Sequence, residues 1–133
     1  MKIPNIRCKI EMFSSINPSE DSQKIHKAIS NIFPFSKIEI QNYSVNAVSN
    51  DLRSFEKIYE TIHSKRSQKT YRRYLEKNLL DNSTWFYLNK QAAFVEKIAI
   101  CEEAEESPLG PIKVVISSPN IDRIIEWISF GND

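Results

Sequence analysis

A chain of 133 residues is the size of one domain and long enough to bury a core of its own. Its 41% apolar and 26% charged residues are those of a globular protein, and no apolar run approaches the ~20 residues that span a bilayer, so no membrane role is expected. The net charge of +1 excludes a polyelectrolyte but hides an asymmetry: Lys65 to Lys77 holds six basic residues against Glu76 alone, a local balance of +5.

The first residues, Met1-Lys2-Ile3-Pro4-Asn5, lack the apolar stretch and small-residue cleavage site of a signal peptide, which predicts a cytoplasmic protein. Ile6, Cys8, Ile10 and Met12 then alternate with Arg7, Lys9 and Glu11, the period of a half-buried strand. Asn17-Pro18-Ser19-Glu20 reads as a helix start, with Asn17 as cap, Pro18 at the first helical position and Glu20 closing a capping box. The helix carries Ile25, Ala28, Ile29, Ile32 and Phe33 on one stripe, and Pro34 stops it.

A second strand is predicted from Lys37 to Val48, where the apolar phase shifts between Ile40 and Tyr43; a bulge or bend near Gln41-Asn42 explains the shift. Ser49-Asn50-Asp51 opens a second helix with Leu52, Phe55, Ile58, Tyr59 and Ile62 facing inward, and a third helical stretch, continuous with it or broken at Ser67, runs to about Leu80. Thr84 to Lys90 and Ala93 to Cys101 favour strands through aromatic and β-branched residues. The acidic loop Glu102–Glu106 leads to the turn Pro108-Leu109-Gly110-Pro111. Ile112, Val114 and Ile116 form a last strand, and Ser118-Pro119 starts a final helix with Ile121, Ile124, Ile125 and Ile128, ended by Gly131. The expected fold is one α+β domain over residues 1–133, a two-layer sandwich with an antiparallel or mixed sheet and helices packed on one face.

Glycine narrows the chemistry. With only Gly110 and Gly131, neither a P-loop nor a Rossmann turn can be written, because both need several glycines for close backbone approach to phosphate. His26 and His63 have no nucleophile at a spacing that suggests a catalytic pair. The Glu102–Glu106 run lacks the alternating ligands and turn glycine of a calcium loop, so it reads as a solvated acidic loop. Cys8 and Cys101 fall in apolar strand patterns and read as buried free thiols; a disulfide between adjacent strands is the alternative. No enzyme, cofactor or metal is expected.

The basic stretch is the functional lead. At about 100° per residue, Lys65, Arg66, Lys69, Arg72, Arg73 and Lys77 fall within roughly 140° of arc on a helix, with Tyr71, Tyr74, Leu75 and Leu79 opposite. Like charges at i,i+4 destabilise a helix by a few tenths of a kcal/mol, and Lys65–Lys69, Lys69–Arg73 and Arg73–Lys77 are all such pairs. A solvated face usually mixes signs, so this one points to an anionic partner. If that partner is a nucleic acid, the stripe contacts phosphates, and affinity falls steeply with salt.

From Thr84 onward the chain resembles an uncharacterised archaeal family predicted to bind RNA. The matching stretches are Phe86-Tyr87-Leu88-Asn89-Lys90-Gln91-Ala92-Ala93-Phe94-Val95, Pro108-Leu109-Gly110-Pro111-Ile112, and Ile121 to Ile128 with Trp127; the Asn17–Asp21 segment is also similar. The resemblance implies a fold similar to the ribosomal protein that binds 5S ribosomal RNA, and a link to RNA processing through the archaeal exosome. Two departures stand out: Glu96 occupies a position where the family pattern suggests glycine, and no glycine precedes Ser83-Thr84. Asn89, Lys90 and Gln91 either contact a phosphate or base edge or form a polar turn that holds the backbone. The expected function is therefore non-catalytic RNA binding through Lys65, Arg66, Lys69, Arg72, Arg73, Lys77, Lys90 and Gln91. The alternative is a protein-interaction or homodimerisation module, its basic face docking on an acidic surface such as the Glu102–Glu106 loop.

Overall fold

Strand β1 (Lys9–Ser15) buries Ile10, Met12 and Ser14 and turns Lys9, Glu11 and Phe13 to the other side, and this two-sided division extends across the sheet. The computed structural model describes residues 3–130. After β1 come α1 (Ser22–Ile32), β2 (Lys37–Ile40), β3 (Ser44–Ser49), a 3-10 turn (Leu52–Phe55) running into α2 (Glu56–Ser64), and α3 (Gln68–Lys77). The chain continues with β4 (Ser83–Leu88), α4 (Lys90–Phe94), β5 (Ile100–Cys101), β6 (Ile112–Ser117) and α5 (Ile121–Phe130).

The six strands form one sheet in the order β2-β3-β1-β6-β4-β5, with every neighbouring pair antiparallel. Ile10, Met12, Val45, Ala47, Phe86, Leu88, Ile112, Val114 and Ile116 lie on the covered face and meet the apolar stripes of the helices. Aromatic contacts join the layers: Phe55 and Tyr71 both meet Phe86 edge-on, with centroids 6.2 and 5.6 Å away. The result is the expected α+β sandwich, with an all-antiparallel sheet. Cys8 and Cys101 are buried free thiols. Gly131, expected as the helix stop, lies outside the described residues.

Three local expectations are corrected. Helix α1 starts four residues later than the Asn17 cap implies: Asp21 is the cap, its carboxylate accepting from the Gln23 amide at 2.9 Å. Asn17–Glu20 is instead a turn of its own, with the Glu20 carboxylate accepting from the Asn17 amide and side chain at 3.0 and 2.8 Å. The phase shift after Ile40 marks a hairpin and not a bulge: Ile40 pairs with Val45, the Gln41 amide donates to Ser44 at 2.8 Å, and Tyr43 projects into solvent. A short apolar run gives the same phase signal for either device.

Helices α2 and α3 are separate, the broken form of the two that the sequence left open. Arg66 adopts φ +53°, and the amides of Arg66 and Ser67 donate back to His63 and Ile62, the paired bonds of a Schellman cap. The third correction falls on Ala93–Cys101, where only Ile100–Cys101 is strand. Asn89 caps α4 by accepting from the Ala92 amide at 2.9 Å. A second Schellman cap closes that helix, with Lys97 and Glu96 amides donating to Ala92 and Ala93 and Glu96 at φ +59°. The left-handed position explains why glycine suits residue 96 better than glutamate.

Candidate nucleic-acid interface

Helix α3 docks through Tyr71, Tyr74 and Leu75, which are buried, leaving Lys69, Arg73 and Lys77 exposed at successive i,i+4 positions. At ~1.5 Å of rise per residue these three cations span about 12 Å along one side of the helix. Lys69 and Lys77 are not in an ion pair with any described residue, and Arg73 lies over the Tyr74 ring with one nitrogen donating to its hydroxyl at 3.2 Å. The ring braces the Arg73 guanidinium without neutralising it.

Arg72 differs. Its Nε donates to Glu76 at 3.0 Å and its guanidinium sits 4.6 Å from the Phe130 ring centroid, so it is largely committed to the protein. Lys65 and Arg66 leave the helical arc that one continuous helix would give them, because the cap at Arg66 redirects the chain; both remain exposed in the turn before α3. The structure thus assembles a linear run of three cations, flanked by two more, where the sequence implied one stripe of six.

Lys90 requires the largest correction. It is 0% exposed, and its ammonium donates to the Ser15 carbonyl at 3.0 Å, the Leu109 carbonyl at 2.8 Å and the Glu20 carboxylate at 3.0 and 3.1 Å. Three ammonium protons meet three acceptor groups, so nothing remains for a phosphate. Burial works to raise the Glu20 carboxyl, but hydrogen bonds from Asn17 and Lys90 and the Lys90 charge outweigh it and hold Glu20 below its ordinary range. The left-handed Leu109-Gly110 turn carries the Leu109 carbonyl, which also accepts from the Asn17 side chain at 2.7 Å. Asn89-Lys90-Gln91 is therefore a structural junction: Asn89 caps, Lys90 ties four segments together, and Gln91 Nε2 donates to the Pro108 carbonyl at 3.2 Å. It shares no exposed cation with α3.

The opposite side of the sheet was not singled out by sequence. Register places Trp85, Val115, Glu11, Val48 and Lys37 in one row across five strands, and Tyr87, Lys113, Phe13, Asn46 and Glu39 in the next. Trp85 and Tyr87 touch at 5.0 Å, and the Lys113 ammonium lies 4.8 Å from the Trp85 ring. The available signal was the run Trp85-Phe86-Tyr87-Leu88, apolar in both phases of the strand.

His63 is stacked on Tyr59 at 4.0 Å, with its Nε2 2.8 Å from the Ile128 carbonyl. Among the described residues no group of three His, Cys, Asp or Glu side chains could hold a metal ion, and no helix is long and apolar enough to cross a membrane.

A family described as RNA binding matches residues 9–118. A UPF0201 protein of Methanothermobacter thermautotrophicus is 36% identical over 121 residues, covering 91% of this chain and 90% of the relative. A second, from Sulfurisphaera tokodaii, is 37% identical over 125 residues, covering 91% and 86%. The crystal structure of a UPF0201 protein from Methanococcus jannaschii, 31% identical, superposes with a TM-score of 0.77 over 94% of each chain. A DUF54 protein of Methanothermobacter thermautotrophicus, 18% identical with a TM-score of 0.69, shares the fold over 94% of this chain and 99% of its own.

Proposed function

The chain belongs to the archaeal UPF0201 family, and on that premise we propose that it is a non-catalytic RNA-binding protein whose α3 face holds the phosphate backbone. The observation that carries this reading is the line of Lys69, Arg73 and Lys77, exposed on one helix side, in a chain that a family described as RNA binding matches over residues 9–118. Lys65 and Arg66 extend the cationic surface at its N-terminal end. Arg72 contributes little directly, because Glu76 offsets its charge, and Lys90 contributes nothing.

The recognition is of backbone and not of bases. Tyr71 and Tyr74, the aromatic residues on α3, are 2% and 8% exposed and offer no free ring to stack on a base. Such contacts position an RNA without reading its sequence.

Titration of duplex and single-stranded RNA at low salt, using wild type and Lys69→Glu/Arg73→Glu, tests the reading. Binding by wild type that is lost in the variant supports it; no binding by wild type, or equal binding by the two, refutes it. The pathway, which by family resemblance is RNA processing or the ribosome, is read from the RNA that copurifies from native cells.

A further inference from the structure

One side of the sheet carries no helix, and its composition is unusual for a surface that ends in water. One-sided antiparallel sheets ordinarily turn polar residues outward. Here Phe13, Val48, Trp85, Tyr87 and Val115 share the outer face, and Phe13 is 48% exposed. Contiguous apolar surface of this kind on a soluble protein marks an interaction site.

The charges on the same face decide what covers it. Lys9, Lys37 and Lys113 are interleaved with Glu11 and Glu39, and Lys9–Glu11 and Lys37–Glu39 lie 3.8 Å apart as loose pairs. A polyanion laid across this face would meet Glu11 on β1, between Val48 and Val115. A mixed field of both signs around an apolar centre suits a surface that carries the same mixture.

We infer that this face pairs with the same face of a second copy of the chain, forming a reversible two-fold dimer. The register supplies the geometry. Glu11 pairs with Val115 and Phe13 with Lys113, so these four residues form a small rectangle on β1 and β6, with Glu11 and Lys113 on one diagonal. A two-fold axis lying in the interface along the other diagonal sets Glu11 over the partner's Lys113 and Lys113 over the partner's Glu11. Phe13 and Val115 lie near the axis and meet their own counterparts, and the two sets of strands cross steeply, as in orthogonally packed sheets. Five strands about 4.8 Å apart and six residues about 3.4 Å apart give a projected face of roughly 480 Å², or about 1,000 Å² for the pair. That is the size at which a specific but readily dissociating interface begins. Helix α3 lies behind the sheet, so its cations stay accessible in the dimer, and the inference stands or falls separately from RNA binding.

The test is sedimentation of the full chain from about 5 μM to about 500 μM, a range that brackets a reversible dimer. Trp85 reports locally: in a Trp127→Phe background it is the sole tryptophan, and its emission shifts to the blue as the pair forms. Wild type dimerises with concentration. Glu11→Lys and Lys113→Glu each remain monomeric through like-charge contact, and the protein carrying both changes dimerises again, because each copy then sets a cation over an anion. Far-UV circular dichroism checks that all variants are folded. Three results overturn the inference: a wild type that stays monomeric throughout, single variants that pair as well as wild type, or a double variant no more dimeric than the singles. Oligouridine shifting Trp85 emission in a monomeric protein also overturns it, and assigns the face to nucleobases instead.

Discussion

Replacing Lys90 with methionine tests whether the Asn89-Lys90-Gln91 segment serves the fold or the ligand. Methionine keeps the length and removes the ammonium. The Glu20 side chain, 6% exposed, then loses its cation, and the carbonyls of Ser15 and Leu109 each lose a donor. Breaking a buried ion pair from one side costs about 3–5 kcal/mol. For a chain of this size that is a drop in Tm of roughly 12–20 °C. Glu20→Leu combined with Lys90→Met falls short of the sum of the two single losses by about 1–3 kcal/mol, because the second change removes a partner already stranded.

The pair also has a pH signature. The folded Glu20 carboxyl lies below its ordinary value of 4.5, so its stabilisation is fully present above that value and is lost as pH falls through the lower folded one. Thermal melts between pH 7 and pH 3 therefore show wild type falling more steeply than Glu20→Gln at the acid end. A Lys90→Met protein within about 1 kcal/mol of wild type, together with a loss of RNA affinity, would refute the structural role and return Lys90 to the binding surface.

Three further outcomes follow from local geometry. Glu96→Gly relieves the left-handed cap after α4 and raises stability by about 0.5–1 kcal/mol, measured by urea denaturation. Asn89→Ala removes the α4 cap and lowers stability by about 1 kcal/mol in the same assay. Burial pushes both thiols up, with Asp51 adding to the effect at Cys8 and Glu106 at Cys101, so a thiol-disulfide reagent at pH 8 reacts with the native protein far more slowly than with the denatured chain.

The apolar stripes of α1, α2 and α5 and the alternation in β1 and β6 were legible in the sequence because period and burial agree along each element. Asp51 was legible too, and accepts from the Arg53 amide at 2.9 Å as a cap should. The errors cluster where short segments carry ambiguous signals. Five residues of α4 contain Ala92, Ala93 and Phe94 before Val95, too few to show a helical period, so β-propensity prevailed over the Asn89 cap. The role of Lys90 was hidden for a different reason. Its partners come from residues 15, 20 and 109, and no local pattern announces that those segments converge. The open sheet face escaped because Trp85 and Tyr87 stand beside Phe86 and Leu88, and a run apolar in both phases reads as a strand covered on both sides.

The central claim, that α3 binds RNA through phosphate contacts, is tested most directly by the salt dependence of affinity. Three contacts from Lys69, Arg73 and Lys77 give a slope of log K against log salt of about −2 to −3, and Lys69→Glu/Arg73→Glu reduces its magnitude by about 2. Parallel slopes for the two proteins, or no wild-type binding at the lowest salt, would contradict the assignment of RNA to this face.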